Sequence, residues 1–235
     1  MRITTSVFMA FTRFFTNILC RKEYTAQRIG TLNERPLETA FLFNSLCEIW
    51  PSTILDVGSG RSSLPHLMSG CCLKVTAIDN IRDYWKEGMF NRHFHVIDDD
   101  ILNSHLTESF DAISCISVLE HIANHRDALS AMYKLLTPGG HCILTFPYCE
   151  TEYIPDVYAL PDTWNTQKHP FVAQAFSRKE IDVWCNDNSW IIKKQVYWQF
   201  CTGDFWTCGE RLSIPIISAA DKKHQLSGLL IEKPI

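Results

Sequence analysis

The chain has 235 residues, 46% of them hydrophobic, which is enough for one folded α/β domain with a full core and a modest additional segment. Its formal net charge of −4 and its pI near 6.1 argue against nucleic-acid binding, because such binding depends on clustered lysine and arginine. Composition and charge therefore argue against a disordered chain and favour a small or neutral binding partner.

The ten cysteines indicate reduced thiols. They are scattered, they include the adjacent pair Cys71 and Cys72, and Cys115, Cys142 and Cys185 fall within predicted strands or helices. Free cysteine is commonly buried, and disulfides are rare in reducing compartments. No pair of Cys-x-x-Cys units is present, so a zinc site has no support. We expect a cytoplasmic protein without a metal site.

The apolar run from Val7 to Leu19 predicts an N-terminal helix. Arg13 interrupts the run, which is too short to span a bilayer, so we expect no stable membrane insertion. The helix packs on the domain or lies on a membrane surface. Packing is favoured, because its polar side is not rich in lysine or arginine.

Strand and helix patterns then alternate along the chain. A helix is predicted from Pro36 to Trp50, and the first strand begins at Ile54. Further strands are predicted at Leu73–Ile78, Phe94–Ile97, Phe110–Ile116, His141–Phe146, Trp190–Phe200 and Leu226–Glu232, and further helices after Ser62 or Ser63, Asn124 and Ser177. Cys201–Lys223 has no assigned shape. The order predicts an α/β fold with a doubly wound, mostly parallel, seven-stranded sheet and helices on both faces.

A glycine-paced turn follows the first strand, in the sequence Ile-Leu-Asp-Val-Gly-Ser-Gly that ends at Gly60. Gly58 and Gly60 permit positive φ angles and leave no Cβ to block a ligand, while the next helix presents its N-terminal amides. A second buried strand ends at Asp79, about 20 residues beyond the turn, where nucleotide-binding folds hold ribose hydroxyls. The spacing predicts a nucleotide-type ligand.

Six segments in this order, ILDVGSG, AIDN, DDDIL, FDAISCISVLEHI, LLTPGG and ILTFP, resemble those of class I S-adenosylmethionine-dependent methyltransferases. The likeness is greatest to the small-molecule branch with a V-L-E-H motif, and it covers roughly residues 53–147. The resemblance implies a Rossmann-like methyltransferase fold and S-adenosyl-L-methionine as the cofactor. Its specificity lies in the order and spacing of the segments together.

The resemblance implies roles for the first two strand ends. Asp56, Gly58 and Gly60 would surround the methionine part of the cofactor, and Asp79 would accept hydrogen bonds from the ribose hydroxyls. The family often has a third glycine two residues after the second, where this chain has Ser62. Either the turn is slightly wider, or Ser62 caps the following helix.

The later segments supply the other cofactor contacts that the resemblance implies. Asn80 or Ile81 would lie beside the adenine, and Asp100 with Ile101 would contact the adenine amino group. Ser117, just after the fourth strand, would face the sulfonium end.

Glu120 and His121 are placed at the mouth of the sheet's carboxyl edge, where open α/β folds bind ligands. His121 is the candidate catalytic residue, since an imidazole can remove a proton from a hydroxyl or amine acceptor near neutral pH. A structural or cofactor-side role is the alternative. His121 and His125 lack a third ligand, so a metal pair is not supported. His169 either faces the acceptor or lies on the surface.

The domain prediction divides the chain into 1–50, an N-terminal helical segment that caps the site, and 51–235, the methyltransferase domain. Within the second, residues 148–176 are predicted to form an acceptor lid, because long irregular segments often cover active sites. Three aromatic residues of this lid line an acceptor pocket or pack on the sheet edge: Tyr153, Tyr158 and Trp164.

The predicted function is methyl transfer from S-adenosylmethionine to the oxygen or nitrogen of a small-molecule or glycan-type acceptor. One alternative is an NAD-dependent oxidoreductase, which predicts a third glycine where Ser63 stands and leaves the V-L-E-H segment unexplained. Another is a non-catalytic, cofactor-binding partner that regulates a second protein.

Overall fold

The computed structural model describes residues 2–27, 33–85, 87–164 and 171–235. The chain forms two compact units, Met1–Leu32 and Asn33–Ile235. In the first, the described residues form the helix α1 (Arg2–Ala26). Among the described residues, no helix combines the length and the apolar character that a bilayer span requires.

The second unit alternates strands and helices as predicted. Its strands are β1 (Thr53–Val57), β2 (Lys74–Asp79), β3 (Ile97–Asp98), β4 (Phe110–Ile116), β5 (Leu136–Pro147), β6 (Ile191–Cys201), β7 (Arg211–Ser218) and β8 (Leu226–Glu232). Its α-helices are α2 (Arg35–Ile49), α3 (Leu64–Gly70), α4 (Ile81–Tyr84), α5 (His125–Leu135) and α6 (Arg178–Asn188). Short 3₁₀ helices cover Ile101–Asn103, Leu119–His121 and Val157–Ala159.

The eight strands found among the described residues form one sheet in the order β3-β2-β1-β4-β5-β8-β6-β7. The first five strands are parallel, whereas β8 pairs antiparallel with β5 and β6, and β7 pairs antiparallel with β6. The α/β fold with a mixed, Rossmann-like sheet is confirmed. The predicted number of seven strands is wrong, because β7 forms the edge within the segment that had no assigned shape.

The sequence did not predict β7 because this strand lies at the edge of the sheet. Ile214, Ile216 and Ile217 are all exposed, so the strand shows no alternation between a buried and an exposed face. Pro215 lies between them, and proline within a sheet is confined largely to edges.

Two predicted strand starts also differ from the structure by more than one residue. The third strand begins only at Ile97 rather than at Phe94, because the side chain of Asn91 accepts the amides of His93 and Phe94 and holds them in a turn. The fifth strand begins at Leu136, directly after α5, with no intervening loop.

Helices cover both faces of the sheet, as predicted. Successive residues of β1 illustrate the alternation: Ile54 packs with Phe41 of α2 and Met68 of α3, whereas Leu55 packs on the opposite face with Leu129 of α5. With both faces covered, the carboxyl edge of β1, β2 and β4 is left as the place for a ligand crevice.

Candidate functional site

A cavity of about 840 Å³ lies at the carboxyl edge of β1, β2 and β4. The residues predicted to hold the cofactor line it, together with the candidate catalytic residue; these are Asp56, Gly58, Gly60, Asp79, Asn80, Asp100, Ile101, Ser117 and His121. Ile81, the alternative to Asn80, is not in the wall. The volume is in the range of about 300–1,000 Å³ that is typical of small-ligand sites.

The glycine turn forms the floor of this cavity. The amides of Gly58 and Ser59 both donate to the carbonyl of Ile78, which ties the end of β1 to β2. Gly58 and Gly60 have φ angles of 73° and 50°. A Cβ on Gly58 would lie 2.4 Å from Cγ1 of Val118, so this position requires glycine for backbone angle and for space.

Ser62 directly precedes Ser63, the N-cap residue of the next helix, so neither sequence alternative for this position is established. The Ser62 hydroxyl accepts the amide of Leu64, the first residue of α3, at 3.1 Å. The side chain of Asn91 donates to the carbonyls of Gly60 and Ser62, at 2.9 and 2.8 Å. This second contact holds the turn from outside the motif, and no sequence pattern indicated it.

Asp79 lies at the tip of β2, beside the turn. One carboxylate oxygen accepts the amide of Gly60 at 2.8 Å, and the other accepts the indole N–H of Trp85 at 3.0 Å. Burial raises the pKa of Asp79. Since an ionised carboxylate has about four acceptor positions, these two bonds leave capacity for ligand hydroxyls. Trp85 also lines the cavity, and sequence reasoning missed it.

Asp56 supports the turn from behind. Its two oxygens accept the hydroxyls of Ser59 and Ser114, at 2.6 and 2.7 Å. Burial raises the pKa of Asp56 to about 6, the two hydroxyls counteract that rise, and the nearby charge of Asp79 adds to it. Two carboxylates so close together favour a ligand that carries positive charge.

The three consecutive aspartates after β3 have different partners. Asp98 accepts backbone amides at the start of α4, and Asp99 accepts the hydroxyl of Ser104 at 2.6 Å. Asp100 accepts an amide of the 3₁₀ helix Ile101–Asn103. Asp99 and Asp100 both line the cavity, but the Asp99 side chain is buried against its own loop.

Ser117 connects the cavity to α2. Its φ angle is +51°, and its amide donates to both the carbonyl and the hydroxyl of Thr145 at 3.0 Å. The hydroxyls of Ser117 and Thr145 donate to the same carboxylate oxygen of Glu38, whose other oxygen lies 3.2 Å from Arg35. Burial raises the pKa of Glu38. Sequence reasoning missed Glu38, because its helix was identified only by its apolar positions.

The His121 ring is held in one orientation. Nδ1 donates to the carbonyl of Val172 at 2.8 Å, since a carbonyl can only accept. In the neutral ring, the lone pair therefore lies on Nε2. The ring centre is 4.3 Å from that of Phe171, and both residues line the cavity. This arrangement is suited to accepting a proton.

The sequence predicted Glu120 at the mouth of the sheet's carboxyl edge, but the structure buries this residue beneath that edge. Only 1% of the residue is exposed, and Oε2 has no hydrogen-bond partner among the described residues. Burial raises the pKa of Glu120 to about 8, so the carboxyl group is largely protonated at neutral pH. Its Oε1 lies 4.0 Å from Nε2 of His121.

The aromatic residues predicted for an acceptor pocket are not in the cavity wall. The hydroxyl of Tyr153 donates to Gln174 at 2.7 Å, and Tyr158 packs near Trp206. Trp164 is half exposed, and the guanidinium group of Arg211 lies 5.5 Å from the centre of its ring. Tyr153 and Tyr158 thus contact neighbouring side chains and do not line the cavity.

Different aromatic side chains form that wall. Phe171 and Tyr84 line the cavity with their ring centres 6.4 Å apart. Phe171 belongs to the predicted lid, so the lid segment does reach the site. His169 lies outside the described residues.

The ten cysteines all lie among the described residues, and none of them forms a disulfide.

Known proteins show both sequence and structural similarity to this chain. A family profile described as “Methyltransferase domain” matches residues 25–189. Ubiquinone biosynthesis O-methyltransferase from Psychrobacter arcticus is 29% identical over 101 residues, which cover 39% of each protein. The chain thus spans about two fifths of the length of the curated relatives it matches.

Solved structures share the fold. The N-methyltransferase NodS from Bradyrhizobium japonicum, in complex with S-adenosyl-L-homocysteine, has a TM-score of 0.53 at 19% identity, over 86% of this chain and 88% of that one. The 1,6-didemethyltoxoflavin-N1-methyltransferase of Burkholderia thailandensis has a TM-score of 0.55 at 12% identity, over 95% of this chain and 87% of that one. The profile match covers more than half of the sequence, and the sheet with a cavity at its carboxyl edge is consistent with that match. The chain therefore belongs to the methyltransferase domain family.

Proposed function

We propose that this protein transfers a methyl group from S-adenosylmethionine to an oxygen or nitrogen atom of a small-molecule or glycan-type acceptor. The observation that carries the proposal is the pairing of Asp79 with the Gly58–Gly60 turn at the floor of one cavity. Such a pairing is suited to a ligand with a ribose and a positively charged amino-acid part.

The residues of the cavity fit this cofactor. Asp79 retains acceptor capacity for ribose hydroxyls, and the Asp56 carboxylate beneath the turn complements an ammonium group. Asn80, Asp100 and Ile101 follow β2 and β3 on the same wall, where an adenine would be held. The donor and acceptor set therefore supports the roles that the sequence resemblance implies.

When bound, S-adenosylmethionine supplies an electrophilic methyl group. The chain's own task is to align an acceptor atom with it, and positioning alone can supply much of the rate acceleration. His121 is the proposed general base, with Nε2 accepting a proton from the acceptor hydroxyl or amine while Val172 fixes the ring. Phe171 and Tyr84 contribute apolar surface that limits access of water.

The similar proteins include an O-methyltransferase and N-methyltransferases, which supports oxygen or nitrogen as the receiving atom. The net charge of −4 supports a small acceptor rather than nucleic acid. Phe171 supports the lid at 148–176, and Arg35 and Thr39 of α2 support a capping role for the 1–50 segment, because all three line the cavity.

Calorimetric titration tests the cofactor assignment. We expect saturable binding of S-adenosylhomocysteine and none of NADH. Binding of NADH alone would overturn the proposal in favour of an oxidoreductase.

Turnover separates an enzyme from a regulatory partner. The purified protein is incubated with methyl-labelled S-adenosylmethionine and a metabolite extract, and we expect label in a small molecule. A parallel incubation with His121→Gln is the matched control. Tight binding of S-adenosylhomocysteine without any labelled product would favour the non-catalytic partner.

A further inference from the structure

Helix α1 presents a continuous aromatic face to solvent. Phe8, Phe11, Phe14 and Phe15 are 68%, 64%, 61% and 48% exposed, and Leu19 is 59% exposed. The ring centres of Phe11 and Phe15 are 4.6 Å apart, and those of Phe14 and Phe15 are 5.6 Å apart. An exposed apolar patch of this kind marks an interaction surface.

The charge of α1 differs in sign from that of the whole chain. Arg2–Ala26 contains three arginines, one lysine and a single acid, whereas the chain carries a net charge of −4. Arg21 and Lys22 follow Ile18 by three and four residues, so both lie at the C-terminal end of the aromatic face. Long cationic side chains in this position can keep their charges at an interface while their stems cover apolar surface.

We propose that α1 lies on the surface of an anionic phospholipid bilayer, with its aromatic face among the acyl chains and its cations against lipid phosphates. The polar side of α1 is not rich in lysine or arginine, so binding is expected to depend on the phenylalanine and leucine of its apolar face, together with Arg21 and Lys22 at the end of that face. The helix rests there without spanning the bilayer, because no helix of the described residues is apolar enough to cross.

The backbone and its polar side chains are compatible with that position. The hydroxyl of Thr12, at the edge of the aromatic face, donates to the carbonyl of Phe8 at 2.9 Å. Its hydrogen bond is therefore already made within the helix, which lowers the cost of moving it towards lipid.

A second copy of the chain fits this face less well. Phe8, Phe11, Phe15 and Ile18 follow a heptad pattern for two repeats only, and the next two positions are Lys22 and Thr25. A stable coiled coil usually needs three to four repeats with a narrow seam. The additional exposed residues Phe14 and Leu19 widen the face beyond such a seam.

Co-sedimentation of the full chain with vesicles tests the proposal. We expect binding to phosphatidylcholine vesicles that contain phosphatidylglycerol, weaker binding to pure phosphatidylcholine, and a loss in high salt. Phe11→Asp/Phe15→Asp should reduce binding at least about tenfold, whereas Thr16→Asp/Asn17→Asp, with the same change in charge on the opposite side, should retain it. Arg21→Glu/Lys22→Glu should reduce binding to the anionic vesicles.

Folding is monitored independently in each variant. All seven tryptophans lie beyond residue 33, so their fluorescence during urea unfolding reports on the rest of the chain. We expect the same midpoint in every variant. Absence of vesicle binding, or equal loss in both aspartate pairs, would overturn the proposal.

Two other results would also overturn it. A dimer in light scattering that Phe11→Asp/Phe15→Asp converts to monomers, without vesicle binding, would assign the face to a second copy. A lowered unfolding midpoint in that variant, again without vesicle binding, would assign it to packing on the chain itself. None of these outcomes depends on methyl transfer.

Discussion

The two sides of the cavity are built differently. The wall at β1 and β2 consists of residues at the ends of strands or just after them, and Asp56, Gly58, Gly60 and Asp79 lie within 24 positions of one another. The opposite wall depends on distant contacts, since His121 is held by a carbonyl 51 residues away. The first wall could therefore be predicted from local spacing, whereas the second could be predicted only as a list of candidates.

This contrast assigns separate tasks to the two walls. If the first wall holds the cofactor and the second serves the acceptor, variants of the two walls should change different measured quantities.

The largest effect should come from His121→Gln. We expect kcat for the acceptor found by labelling to fall by about 10²–10⁴-fold, because the general base is lost while the amide can still donate to Val172. The affinity for S-adenosylhomocysteine should stay unchanged. His95→Gln, at an exposed position outside the cavity, serves as the control. An unchanged kcat would remove His121 from the chemistry.

The next largest effect concerns the turn. Gly58→Ala should lower the free energy of unfolding by about 2–4 kcal/mol, because the new methyl group meets Val118 and the backbone angle suits only glycine. Adding Val118→Ala should restore part of that loss. Gly70→Ala, where no atom lies within 4 Å of the added Cβ, should be neutral or stabilising. Equal urea midpoints for the two alanine variants would contradict the geometry.

The raised pKa of Glu120 makes the free energy of unfolding depend on pH. Its pKa is raised from 4.5 to about 8, so the folded state holds a proton that the unfolded state has lost, and this contribution to stability falls as pH rises between those values. From pH 5 to pH 7 the loss should amount to about 2–3 kcal/mol in urea unfolding.

Glu120→Gln should flatten that slope, because the amide does not titrate. The raised pKa of Asp56, about 6, leaves a smaller slope of the same sign at lower pH. The exposed Glu152→Gln should behave like the wild type. An identical slope in Glu120→Gln would show that Glu120 is ionised in the fold.

The smallest effect should come from Tyr153→Phe. Removal of the hydrogen bond to Gln174 should destabilise the fold by about 1 kcal/mol. Turnover and cofactor affinity should not change, because the side chain packs away from the cavity. A lowered affinity for the acceptor would return Tyr153 to the pocket.

Much of the fold could be predicted because its strands are buried on both faces. Phe110–Ile116 was predicted with both of its ends correct, since it is almost continuously apolar. The same logic fails at β7, where exposed isoleucines and a proline leave no such signal. Edge pairing depends on a partner strand, which a local pattern does not contain.

The site, like the fold, could be predicted only in part. Residues at strand ends could be predicted because the topology brings those ends together. Trp85, Asn91 and Glu38 could not, because each contacts a site residue from a helix or loop whose sequence shows no ligand-binding pattern. Tyr84 and Phe171 line the cavity for a similar reason, in place of the expected aromatic residues.

The affinity of Asp79→Asn for S-adenosylhomocysteine, measured by calorimetry, tests the cofactor wall most directly. Asp182→Asn, at an exposed position on α6, is the matched control. We expect the Asp79 variant to bind about 5- to 150-fold more weakly, equivalent to about 1–3 kcal/mol, with an unchanged control. Equal affinity in the two variants would contradict the assignment of the β2 tip to the cofactor.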